Sequence, residues 1–99
     1  MTDSTEITVT REGDASRGAY VIELSDVERR AELTWVERDG VRHANHTFVP
    51  PEMRGRGIAG KLVEALIADA REQGFRIAPD CSYVEAAFRR NPGWSDLRA

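Results

Sequence analysis

Ninety-nine residues, 40% hydrophobic and 31% charged, with a formal net charge of −3, suit one globular domain with a modest core. They exclude a disordered chain, a strongly basic nucleic-acid binder and a fold with two nucleotide-binding halves. A single cysteine, Cys81, excludes an internal disulfide and a Cys-rich zinc site, so no metal centre is expected.

In chain order, a polar start, expected to fray over residues 1–5, leads into an alternating strand at 7–10. Turn chemistry between Gly13 and Gly18 precedes a second strand at 19–24, with Tyr20, Ile22 and Leu24 on one face. After a turn at 25–28, Ala31, Leu33 and Trp35 alternate with Glu32 and Thr34 as a half-buried strand. Asp39-Gly40 predicts a two-residue hairpin turn into a fourth strand at 41–49. Pro50-Pro51 ends that strand, because neither proline donates a ladder hydrogen bond.

From residue 57 to 73, Ile58, Leu62, Leu66 and Ala70 recur four apart beside Ala59, Val63 and Ile67, which predicts a helix with one broad buried face and Gly74 as its stop. A short apolar run at 75–78 returns to the sheet parallel to the fourth strand. A second helix is predicted at 82–90 with Val84, Ala87 and Phe88 inward, broken by Asn91-Pro92-Gly93, after which Trp94 and Leu97 fold back onto the core. The expected fold class is α/β (α+β), a mixed sheet in the order β-β-β-β-α-β-α with helices packed on it. An exposed edge strand near Ile7 is available for pairing with a second chain. The oligomeric state itself is not encoded in any pattern.

The most distinctive stretch is Arg54-Gly55-Arg56-Gly57-Ile58-Ala59-Gly60, directly ahead of the longer helix. A helix start offers free N–H groups and the positive end of its dipole, glycines admit a close anion, and arginines fork onto phosphate oxygens. Residues 1–40 hold ten acidic and five basic side chains, against seven and nine over 41–99, so the stretch lies in the basic part. Two nucleotide patterns fit it literally. Gly55 to Gly60 matches G-x-G-x-x-G with Asp80 downstream, but the preceding strand belongs to a meander and two prolines intervene. Gly55 to Lys61 matches G-x-x-x-x-G-K, but Leu62 stands where a Mg²⁺-binding hydroxyl belongs.

The third pattern is Arg54-x-x-Gly57-x-Ala59 between a strand and a long helix. With His46-Thr47-Phe48-Val49 before it and Cys81-Ser82-Tyr83-Val84 after it, this resembles the small YjdJ-type domains of the Gcn5-related N-acetyltransferase superfamily, over about residues 18–97. The resemblance implies acetyl-CoA as cofactor. Its pyrophosphate would lie on the N–H groups of Gly55, Arg56, Gly57, Ile58 and Ala59, with Arg54 and Arg56 adding charge. Its pantetheine arm would pair with Phe48 and Val49 where the fourth strand splays from the fifth.

Acetyl transfer to an amine needs a base, an oxyanion stabiliser and a proton for the leaving thiolate. His46 is the nearest group able to act as base, or else a strand histidine without a chemical role. Cys81 either contacts the acetyl group or is a small buried hydrophobe. For Tyr83 the resemblance implies a proton donor to the thiolate, while packing alone also explains the ring. Larger relatives of this kind wall the acceptor with a helical segment between early strands, where this chain has only a turn at 25–29. The acceptor is therefore expected to be large, such as a protein amine, or a partner completes its site, or the chain is a non-catalytic CoA-binding or protein-interaction module. The acidic balance and the lack of a helix-turn-helix argue against nucleic acid. A polar N-terminus and the absence of an apolar run of about 18 residues lead to the expectation of a soluble, cytoplasmic protein with no membrane partner.

Overall fold

A computed structural model describes residues 7–99, and the expectation of a frayed start over 1–5 lies outside them. Five strands form one sheet in sequential order: β1 (Thr10–Gly13), β2 (Arg17–Ile22), β3 (Ala31–Arg38), β4 (Val41–Phe48) and β5 (Arg76–Ala78). The first four are an antiparallel meander, and β5 joins β4 in parallel through the crossover helix α1 (Ile58–Gln73). A second helix, α2 (Ser82–Arg90), follows β5. A 3-10 turn over Pro92–Leu97 then brings the chain back, so that the Ala99 N–H bonds to the Ile77 carbonyl at 2.8 Å.

Local chemistry accounts for the meander. Asp39 and Gly40 adopt φ values of 56° and 77°, the left-handed pair that reverses β3 into β4 with the twist of both strands. At the β1–β2 turn the Asp14 carboxylate accepts from the Ser16 N–H (2.8 Å), the Ser16 hydroxyl (2.9 Å) and the Arg17 N–H (3.2 Å), which fixes Gly13 opposite Gly18. That register corrects the expected strand at 7–10. Pairing begins only at Thr10, where the turn dictates it, while Ile7 and Val9 pack half-buried against the core from irregular chain. For the same reason β2 starts at Arg17 and ends at Ile22, two residues earlier than its apolar pattern predicts at each end. The exposed edge is thus Thr10–Gly13, not the neighbourhood of Ile7.

Ala31, Leu33 and Trp35 on β3, with Tyr20 and Ile22 opposite them on β2, face α1. The helix answers with Ile58, Leu62, Val63, Leu66, Ile67 and Ala70, and Val84, Ala87, Phe88 and Leu97 extend the same cluster. Asp69 lies in the buried stripe of α1. Its carboxylate accepts two bonds from the Arg11 guanidinium (2.8 and 2.9 Å) and one from the Tyr20 hydroxyl (2.8 Å). Arg42 donates to the same hydroxyl at 3.0 Å, with its guanidinium stacked between Trp35 and Phe75. A buried carboxylate thereby ties the edge strand to the crossover helix.

Candidate functional site

The site begins where β4 and β5 part. β5 covers only Val41 to His43, and one further bond, Cys81 N–H to the Ala44 carbonyl at 2.9 Å, continues the contact. A bulge in the β3–β4 pairing follows: Thr34 pairs with His46 and Trp35 with Ala44, leaving Asn45 as the extra residue. Beyond it, β4 runs to Phe48, and among the described residues no strand pairs with its outer edge there. Pro50 and Pro51 then carry the chain out of the sheet into a 3-10 turn over Pro51–Met53, with Met53 buried beneath.

The loop between that turn and α1 combines left-handed glycines with the open start of a helix. Gly55 (φ 83°) and Gly57 (φ 75°) are both left-handed, and the second is the residue that starts the helix. A Cβ at either would meet nothing within 4 Å, so backbone conformation rather than crowding explains glycine there, and the space in front is open. Among the described residues none accepts a bond from the N–H of Gly55, Gly57, Ile58, Ala59 or Gly60. Arg56 N–H differs, since it bonds to the Met53 carbonyl at 3.3 Å. Arg54 turns its Nε to the Val49 carbonyl (3.3 Å), and the Arg56 fork lies on Asp26 of the β2–β3 connection (3.5 and 3.2 Å).

Five unpaired N–H groups at the start of a sixteen-residue helix form a concave positive surface. A cleft of about 250 Å³ opens on it, walled by Val49, Met53, Arg54, the glycines, Ile58, Ala59 and, from α2, Tyr83. Loop, strand end and second helix therefore meet in one place. Of the residues singled out from sequence, Val49, Arg54, Gly55, Gly57, Ile58, Ala59 and Tyr83 share this cleft. Phe48, Arg56, His46 and Cys81 are not among its walls.

Cys81 caps the start of α2 at the fork of the two strands, half-buried, with its Sγ 3.3 Å from the Thr47 hydroxyl. His46 is exposed, and its register partner is Thr34, whereas Thr47 pairs with the buried Leu33. Strand alternation thus sends His46 and the Thr47–Cys81 contact to opposite faces of the sheet, and His46 does not join Cys81 and Tyr83 as one cluster. Phe48 carries the Arg29 guanidinium over its ring at 5.6 Å. His43 Nδ1 lies within hydrogen-bond distance, 3.0 Å, of the Asp80 carboxylate, away from the loop. At the end of α2, Arg89 pairs with Glu85, and the Asn91 amide donates to the Ala87 carbonyl.

Two residues of the neighbourhood escaped the sequence reading. Thr47 was legible in principle, because period two places it on the face opposite His46. Asp26 was not, because only the tertiary fold brings the β2–β3 turn against Arg56.

Comparison with known proteins adds the following. A family model described as GCN5-related N-acetyl-transferase matches residues 19–97. The chain is 34% identical over 83 residues to Protein NATD1 of Bos taurus, a span of 82% of this chain and 73% of that relative. It is 32% identical over 83 residues to the proteins of the same name from Gallus gallus and Homo sapiens, covering 82% of this chain and 74% and 73% of theirs.

Proposed function

Because the chain belongs to the GCN5-related N-acetyltransferase family, we propose that it binds acetyl-CoA on the loop ahead of α1 and transfers the acetyl group directly to an amine acceptor. The observation that carries this reading is the convergence of five unpaired N–H groups, the uncovered end of β4 and Tyr83 on one cleft. The residues present fit the ligand. Backbone groups of Gly55, Gly57, Ile58, Ala59 and Gly60 would hold the pyrophosphate, Arg54 and Arg56 would add charge, and the edge at Phe48 and Val49 would pair with the pantetheine arm.

When bound, acetyl-CoA supplies an acetyl group activated as a thioester and a thiolate leaving group. The chain has then to orient an amine, remove its proton and return one to sulfur. His46, exposed on the face of the sheet away from α1, takes the amine proton from an acceptor that enters on that face and reaches the acyl group through the gap where β4 parts from β5. Tyr83 holds a proton at the cleft wall on the opposite side. Cys81, at the fork of the strands, contacts the acyl end. Cys81→Ala tests this last role: loss of transfer with unchanged CoA affinity supports it, and full activity removes it.

A second reading, a CoA-binding or protein-interaction module without chemistry, is favoured by one observation. The chain between Ile22 and Ala31 contains no helix that would wall an acceptor. Titration calorimetry with acetyl-CoA, CoA and ATP tests the premise both share. The expected result is a dissociation constant on the order of micromolar for either CoA species, at least tenfold weaker in Arg56→Glu. Failure to bind CoA at all rejects both readings, and acetylation assays on protein and small amines decide between them.

A further inference from the structure

Resting on the CoA reading of the loop, we propose that Asp26 is a positioning residue that occupies the Arg56 guanidinium in place of the pyrophosphate and is exchanged for it when CoA binds. The carboxylate meets the fork on both sides, Oδ1 at 3.5 Å from Nη1 and Oδ2 at 3.2 Å from Nη2. This is the paired geometry in which arginine also grips a phosphate. Arg56 stands between the two left-handed glycines whose N–H groups are unpaired, so a phosphate seated on them competes for the same donors.

The pair is set to yield. Its side chains are 43% and 61% exposed, and an ion pair that open to water contributes little. The connection is held to the site through Arg29 and is closed on itself by a turn bond. Arg29 reaches Glu52 at 3.5 Å and lies over the Phe48 ring, while the Val27 N–H closes the turn on the Leu24 carbonyl at 3.1 Å. Exchange at Arg56 therefore releases Asp26 without detaching the segment. The released carboxylate then faces a like-charged pyrophosphate, so Asp26 sets the loop's affinity below what its donors alone would give.

Calorimetry with CoA and with pantetheine, on the full chain, tests this in five proteins: wild type, Asp26→Asn, Asp26→Glu, Arg56→Gln and the Asp26→Asn/Arg56→Gln double variant. The expected result is CoA binding roughly three- to tenfold tighter in Asp26→Asn at low salt. Asp26→Glu, which keeps the carboxylate, should return to wild-type affinity, and pantetheine, which has no pyrophosphate, should not respond. In the Arg56→Gln background the gain should disappear. Unchanged or weaker CoA binding in Asp26→Asn overturns the exchange, and so does a gain that persists without Arg56, which would be a general charge effect. Absence of CoA binding in the wild type instead rejects the reading of the site beneath it.

Discussion

At the scale of single residues, the glycines of the loop separate two causes that sequence patterns merge. Gly57 is glycine because its φ of 75° strains any L side chain, although nothing crowds the position. Gly60 lies inside α1 with equally open space, and its backbone asks for no glycine. Denaturant unfolding should therefore find Gly57→Ala destabilised by about 1 kcal/mol, and Gly60→Ala neutral or stabilised by up to about 1 kcal/mol. If the pyrophosphate lies against both, each substitution weakens CoA binding. Gly60→Ala would then combine a gain of stability with a loss of affinity, a pairing that a solvated turn without a ligand would not show.

At the scale of elements, the cleft depends on how α2 is held. Cys81 caps it and Tyr83 belongs to its first turn, and the helix is only nine residues long, too short to persist without packing. Val84, Ala87 and Phe88 are buried, the Phe88 ring meets Trp94 edge-on at 5.8 Å, and Glu85 takes bonds from Arg98 (2.7 Å) and Arg89 (3.0 Å). Phe88→Ala should cost about 3 kcal/mol, speed amide exchange over residues 82–97 and reduce CoA affinity as Tyr83 loses its place. Leu66→Ala, in the fully buried stripe of α1, should cost about as much. Measured well below its unfolding transition, it should leave that affinity intact. Equal affinity losses in both variants would mean that the cleft wall is not an α2 property.

For the whole molecule, acid stability turns on Asp69. Burial alone pushes its pKa up, but bonds from Arg11 and Tyr20, with the charges of Arg11 and Arg42, outweigh burial and hold it below the ordinary carboxylate value. A lowered folded pKa stabilises the fold above the unfolded value of about 4, and this contribution is lost as pH falls through the folded pKa. Tyr20 works at the other end. Burial first, then its bond to Asp69, raise the phenol's pKa. Its contribution is thus complete below the unfolded value of about 10 and is lost as pH rises through the folded one. Asp69→Asn should cost about 2 kcal/mol at neutral pH, since it leaves a guanidinium without its carboxylate. The difference from wild type should shrink as pH falls below about 4, which urea unfolding at a series of pH values will measure. A constant difference across that range would mean that Asp69 acts through shape rather than charge.

The amino-acid sequence by itself determined what short-range chemistry can encode. The Asp39-Gly40 reversal, the stop at Pro50-Pro51, the span of α1 up to Gly74 and the bounds of α2 follow from backbone preferences and apolar spacing that act within a few residues. The loop's backbone was legible for the same reason, because glycines directly ahead of a long apolar-periodic pattern favour a left-handed turn into a helix. Tertiary structure decided whatever depends on register and on approach between distant segments. The first two strands shifted because a side-chain bond in their turn outranks the apolar pattern that placed them. Strand alternation then separated His46 from Cys81, which the expected position of the thioester had grouped together. Asp69 reads as one more acidic residue of a helix until Arg11 and Tyr20 arrive from the sheet, and Asp26 reads as an exposed turn until it closes on Arg56. Such pairings bring together residues tens of positions apart, and no local preference carries that information.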